Sequence, residues 1–174
     1  MGSLPETSQH LFLTGAINLH AVEKQALSIM TPQVARIEQY PEVADRLRLH
    51  IEETNGQIDR LDEILASFDS SASMLKDAGL SLSGGMAAIV HTVAGDEILK
   101  NSFANYAFEH FEIAAYKSLL TLAEDCGLSQ TTALLQQSLQ EEQSMAQWID
   151  ESLPMVTRRY ASLYEDGGAG TAKV

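Results

Sequence analysis

Glu23, His50, Glu53, Glu109, Glu112 and Glu142 stand where helical spacing calls for core side chains. The first stripe of residues stepping by three or four reads Phe12, Ala16, Leu19, Glu23, Ala26, Met30. A second reads Leu47, His50, Thr54, Gln57, Leu61, Ile64, with Glu53 three residues from His50 and so on the same face. A third reads Tyr106, Glu109, Ile113, Tyr116, Leu120, with Glu112 three residues beyond Glu109. A fourth reads Leu135, Ser138, Glu142, Met145, Ile149. Each stripe thus carries an acid near its middle. Buried together and unpaired, these carboxylates could not all stay ionised, because like charges in a low dielectric repel strongly. Bound cations resolve the conflict, and oxygen-rich ligation with one or two imidazoles suits iron or manganese better than structural zinc. The competing reading is that the acids are solvated or salt-bridged, as a single helical glutamate usually is. The same coincidence on four stripes favours a common cause.

The elements that must position these groups are helices. A first segment runs from about Ser8 to Ile37, with Pro32 expected to kink it or end its first part, and Pro41 marks a turn. A second runs from about Glu42 to Phe68. Residues Asp69 to Gly85 are rich in serine and glycine and break the pattern, with one short helical piece expected at Ser73 to Ala78. A third helical region starts near Met86, is interrupted near Gly95 and reaches Asp125, with Gly127 placed to stop it. Ser129 is the expected N-cap of a fourth segment ending near Leu153, where Pro154 interrupts; a short helix to Tyr164 follows. No strand-like alternation is sustained. The expectation is all-α: an antiparallel four-helix bundle with a long crossover between the second and third helices and short extra helices. One domain spans 1–165, and the small, glycine-rich residues 166–174 form a disordered tail.

Composition narrows the function classes. The net charge of −13, from 24 acidic and 11 basic residues, repels phosphate backbones and anionic membrane surfaces, so neither nucleic acid nor membrane is an expected partner. No basic arm is present to coat DNA. Residues Met1 to Thr7 show no secretory pattern, and a cytoplasmic location is the default expectation. Cys126 is the only cysteine, which excludes an internal disulfide and a cysteine-based zinc site.

The strings His20-Ala21-Val22-Glu23-Lys24-Gln25, His50-Ile51-Glu52-Glu53-Thr54 with Gln57 and Arg60-Leu61, Glu109-His110-Phe111-Glu112-Ile113-Ala114-Ala115-Tyr116, and Leu135-Gln136-Gln137-Ser138-Leu139-Gln140-Glu141-Glu142 resemble the YciF-like branch of the ferritin-like superfamily. The resemblance spans about Leu11 to Leu153, and the third string is its most specific part. It implies a cytoplasmic, homodimeric, stress-associated bundle holding two metal ions per chain, iron or manganese. By position, Glu23, Glu53, Glu112 and Glu142 lie closest to the metals, followed by Glu109 and His50. One departure stands out: the common ferritin-like pattern has histidine three residues after glutamate, where this chain has Gly56 and Met145. A carboxylate-dominated site follows. Gln57 is placed to orient a carboxylate. Tyr106 and Tyr116 read either as core aromatics or as hydrogen-bond donors to ligand carboxylates, while His20 and His110 flank the inward positions and read as surface or interface residues.

Three functions are compatible with these features: an oxidoreductase acting on a small oxidant such as peroxide or oxygen, a stress protein that sequesters metal without turnover, and a helical interaction or scaffold protein.

Overall fold

The computed structural model describes residues 6–68 and 96–172. Four long helices, α1 (Glu6–Val34), α2 (Pro41–Ser67), α3 (Glu97–Asp125) and α4 (Ser129–Gly167), are followed by the short α5 (Ala169–Ala172). Pro41 opens α2 at the position where a missing N–H goes unnoticed, and Glu42 in the first turn meets the positive end of the helix dipole. Gly127 ends α3 with a φ of 66°. Around it, Leu128 N–H donates to the Ala123 carbonyl (2.9 Å) and Gly127 N–H to that of Glu124 (2.9 Å), the double bond pattern that a left-handed glycine permits.

Cross-helix contacts fix the topology. α1 packs on α2 and α3, and α4 packs on α3 and α2. Gln33 meets Asn105 and Arg36 meets Glu97, so α1 and α3 run antiparallel. Gln57 meets Glu142 and Arg159 meets Glu42, so α2 and α4 do as well. α2 therefore ends at the opposite end of the bundle from the start of α3, the topology of an antiparallel bundle with a long crossover. The expected helical piece at Ser73 to Ala78 and the region from Met86 to Gly95 lie outside the described residues.

The core is apolar at both ends and polar in the middle. Phe12, Leu19, Leu61, Ile64 and Leu135 fill one end, and Met30, Leu47, Ile98 and Ile149 fill the other. Full burial of each such side chain contributes about 1.5–3 kcal/mol. Between them lie Glu23, His50, Thr54, Gln57, Glu109, Glu112, Tyr116, Ser138 and Glu142, all buried. Gly15 on α1 lets Leu119 of α3 lie close: a Cβ there would stand 2.7 Å from Leu119 Cδ2. No helix among the described residues is long and apolar enough to cross a membrane.

Three local expectations are corrected. α4 runs unbroken through Pro154 to Gly167, because the proline is exposed and water can satisfy the carbonyl it leaves unbonded. Leu128, not Ser129, occupies the cap position of α4, without a side-chain cap. The chain past 166 is ordered as far as Ala172. Gly168, at φ 73°, turns it back, Ala172 is fully buried, and the Tyr40 hydroxyl donates to the Ala172 carbonyl at 2.6 Å.

Candidate metal centre

Each long helix delivers between one and three polar side chains to the middle layer because its inward stripe passes through them at helical spacing. His50, on α2, is central. Its Nε2 lies 3.1 Å from Glu109 Oε2 of α3 and 3.8 Å from Glu142 Oε2 of α4, and its Nδ1 lies 2.8 Å from Glu53 Oε2 one turn along α2. One donor atom each from His50, Glu109 and Glu142 fall within 4.8 Å of one another, in side chains that are all buried, an arrangement able to hold a metal ion. Glu23 of α1 receives a 2.6 Å hydrogen bond from the Tyr116 hydroxyl through its Oε1. Gln57 Nε2 donates to Glu142 Oε1 at 2.5 Å and to Glu141 Oε2 at 3.1 Å.

The electrostatics follow from crowding. Burial pushes the Glu23 carboxyl up to about 8, against the opposing hydrogen bond from Tyr116 and the charge of His50. Burial, then the charges of Glu23, Glu142 and Glu109, raise Glu112 well above the ordinary carboxylate range. Burial, then Glu109, do the same to Glu142. Burial alone would lower His50, but the charge and proximity of Glu109, with Glu53 and Glu142 behind it, raise the imidazole to about 10. Burial and the charge of Glu23 push the Tyr116 hydroxyl upward.

Glu53 takes a different place from its five companions. It is only half-buried, and its Oε2 bonds Arg46 Nη1 at 3.0 Å as well as His50 Nδ1. Burial raises this carboxyl, but the bonds from His50 and Arg46 outweigh it and hold the group below its ordinary value. Glu53 therefore faces the rear of the imidazole, not the gap between the other acids. Arg46 precedes Glu53 by two helical turns, a spacing readable in the sequence but not assigned there. Arg60 also went unassigned: its guanidinium bonds Glu141 and donates from Nε to Ser138 Oγ at 2.9 Å.

The tyrosines and flanking histidines divide. Tyr116 is fully buried and serves Glu23, whereas the half-buried Tyr106 lies edge-on to the exposed His110 (ring centroids 4.5 Å apart, 89°) and away from the centre. His20 is a correction. It is buried between α1 and α2 with Nε2 3.0 Å from Asp62 Oδ1, and it belongs neither to the surface nor to the centre.

Whether these residues fit a metal is tested by their unmet bonding capacity. Glu23 Oε2, Glu112 Oε1 and Glu142 Oε2 are buried without a hydrogen-bond partner. Leaving a buried polar atom unsatisfied costs about 1–3 kcal/mol, more when it is charged. Oxygen atoms facing one another across the bundle axis, with one imidazole among them, make a donor set suited to a hard or borderline divalent cation.

Known proteins agree with this architecture. A family model described as a domain of unknown function, DUF892, matches residues 7–162. Protein YciF of Escherichia coli (strain K12) is 28% identical over 146 residues, covering 80% of this chain and 86% of that protein. Among solved structures, a Xanthomonas campestris protein superposes with a TM-score of 0.76 at 27% identity, covering 91% of this chain and 99% of the other. The E. coli stress protein YciF superposes with a TM-score of 0.66 at 23% identity, covering 86% and 96%, and supports the fold.

Proposed function

The chain belongs to the DUF892 family, and from that membership and the buried acids at its core we propose that it is a ferritin-like protein binding two iron or manganese ions. The observation that carries this reading is the set of unpartnered oxygens on Glu23, Glu112 and Glu142 at the bundle axis. Glu23, Glu109, Glu112, Glu142 and His50 would hold the ions, with Glu53 fixing the His50 ring from behind. Two divalent cations match four carboxylates in charge, leaving a neutral imidazole as the nitrogen ligand. Such ions, when bound, supply one-electron steps toward oxygen or peroxide.

The chain's own residues prepare the place. Tyr116 and Gln57 each hold one oxygen of a carboxylate and leave the other buried and unbonded. The apolar layers at either end exclude water and so strengthen every interaction between them. Glu53 and Arg46 orient the imidazole, a role that partners outside a metal's ligand set commonly perform.

Turnover on a small oxidant is the first reading of what the bound metal does. Sequestration without turnover uses the same ligands and differs only in lacking a rate above that of free metal. An association with stress carries over from the E. coli relative, which is described as a stress protein. We place the protein in the cytoplasm and in a homodimer. The pairing face is the outer groove between α1 and α3, whose lining includes Leu11, Val22, Phe111 and Leu119 and contains no charged residue. In a chain of net charge −13, that is a surface on which two copies meet without opposing carboxylates.

Elemental analysis of untagged protein beside a Glu23→Ala, Glu112→Ala double variant tests the centre. About two iron or manganese ions per chain are expected, lost in the variant. Wild type that stays metal-free after anaerobic loading with ferrous or manganous ions overturns the metal reading and leaves a helical interaction protein.

A further inference from the structure

The buried centre is closed unequally. Toward α2 and α4, Arg46 sits on Glu53, Arg60 sits on Glu141, and Gln57 bonds both Glu141 and Glu142. A cation approaching from that side meets two guanidinium groups. Toward α1 and α3, none of the described ion pairs joins Glu23, Glu109 or Glu112 to a lysine or arginine, and Arg36 at the end of α1 is engaged by Glu97 at 2.6 Å. A cavity of about 10 Å³ lies in this seam, bounded by Ala26, Ile29, Met30, Asn105, Phe108 and Glu109. It is of the size that admits about one water molecule. Glu109 belongs both to this cavity and to the centre, since it also lies beside His50.

The cavity lining combines the apolar Ala26, Ile29, Met30 and Phe108 with the polar Asn105 and Glu109. Asn105 and Gln33 exchange hydrogen bonds, Nδ2 to Oε1 at 2.9 Å and Nε2 to Oδ1 at 3.3 Å, which leaves each amide oxygen a second lone pair. Ala26 is the smallest side chain in the lining, and a longer one there would fill the space. Amide oxygens followed by a carboxylate let a cation exchange its water ligands one at a time instead of shedding them all at an apolar wall.

We infer that divalent cations reach the centre along the α1/α3 seam through this cavity, passing the amide oxygens of Asn105 and Gln33 and meeting Glu109 as the first carboxylate. The inference rests on the metal centre proposed above and adds its loading route.

Uptake of Co²⁺ by the metal-free full-length chain, followed by visible absorption in a stopped-flow instrument, tests it. Ala26→Leu fills the cavity, Asn105→Leu removes the amide from its lining, and Ala114→Leu adds bulk on the same helix as Asn105, outside both the cavity and the groove. Ala26→Leu is expected to slow uptake by about tenfold or more with the final stoichiometry unchanged, and Ala114→Leu to load like wild type. Uptake by folded Ala26→Leu at the wild-type rate overturns the route while leaving the centre intact. Should Ala26→Leu lose its helical circular dichroism or its final stoichiometry, Asn105→Leu decides: slowed loading supports the route and wild-type loading overturns it. Wild type that takes up no cobalt overturns the centre, and the route with it.

Discussion

Along the α2/α4 seam, guanidinium groups, a glutamine and a histidine hold the polar centre through short directional bonds. Along the α1/α3 seam, the same centre is bounded by Ala26, Met30 and Phe108, and farther along by the apolar groove around Leu19 and Phe111. The first seam fixes the direction in which a side chain points. The second provides space, and its outer groove carries exposed Leu11 and Phe111. One bundle thus separates orientation from access by using different chemistry on opposite walls.

The largest expected effect comes from pH, which acts on the groups both walls enclose. Glu23 titrates near 8 in the folded chain against about 4.5 when free, so its contribution to stability is complete below pH 4.5 and lost as pH rises through 8. His50, near 10 against 6.5, acts in the same direction, complete below 6.5 and lost as pH rises through 10. Thermal unfolding of metal-free protein should therefore fall in midpoint from pH 5 to pH 9, by an amount on the order of several kcal/mol in stability. Bound metal should flatten the slope, because it replaces protons as the compensating charge. A midpoint that rises over this range would break the picture of acids buried without cations.

Next in size is the gain from metal itself. At a hundredfold excess over its dissociation constant, each ion bound by wild type should add about 2.7 kcal/mol, or roughly 5–10 °C in calorimetry, and the Glu23→Ala, Glu112→Ala variant should gain nothing. On the α2/α4 wall, Arg60→Leu removes the guanidinium from Glu141, which keeps Gln57 as a partner, and from Ser138, and should lower stability in urea by about 1–3 kcal/mol. Tyr116→Phe, which removes one donor from Glu23, should lower it by about 1 kcal/mol in the same measurement. The smallest effect belongs to the opposite wall. Phe111→Ser should change monomer stability by no more than about 0.5 kcal/mol, yet sedimentation velocity should show dimer giving way to monomer. A variant that stays dimeric would move the pairing face elsewhere.

Much of this was legible in the sequence because helical spacing places Glu23, His50, Glu109, Glu112 and Glu142 inward whatever their chemistry. Less legible was anything that depends on width. His20 sits beside the main stripe of α1, but α1 packs on two neighbours, so its buried arc is broad enough to enclose it. Glu53 sits at the opposite margin, where Arg46 can reach it, and spacing alone did not separate a ligand position from a support position. Arg60 was hidden by its own length, since its Cα lies at the edge while the guanidinium reaches Ser138 and Glu141. The helix through Pro154 and the ordered turn at Gly168 escaped because local residue preference yields to packing contacts that composition does not record.

The bond from Tyr40 to Ala172 joins positions 132 residues apart. During synthesis the corner between α1 and α2 is made early, yet the carbonyl that receives the Tyr40 hydroxyl is translated only after all of α4. Until then Tyr40, whose ring lies under Arg159 at 5.8 Å, lacks both of these partners. The order of manufacture therefore differs from the order of completion: the first corner of the bundle is among the last to be sealed, and nascent chains arrested before α4 should display that corner open to proteases.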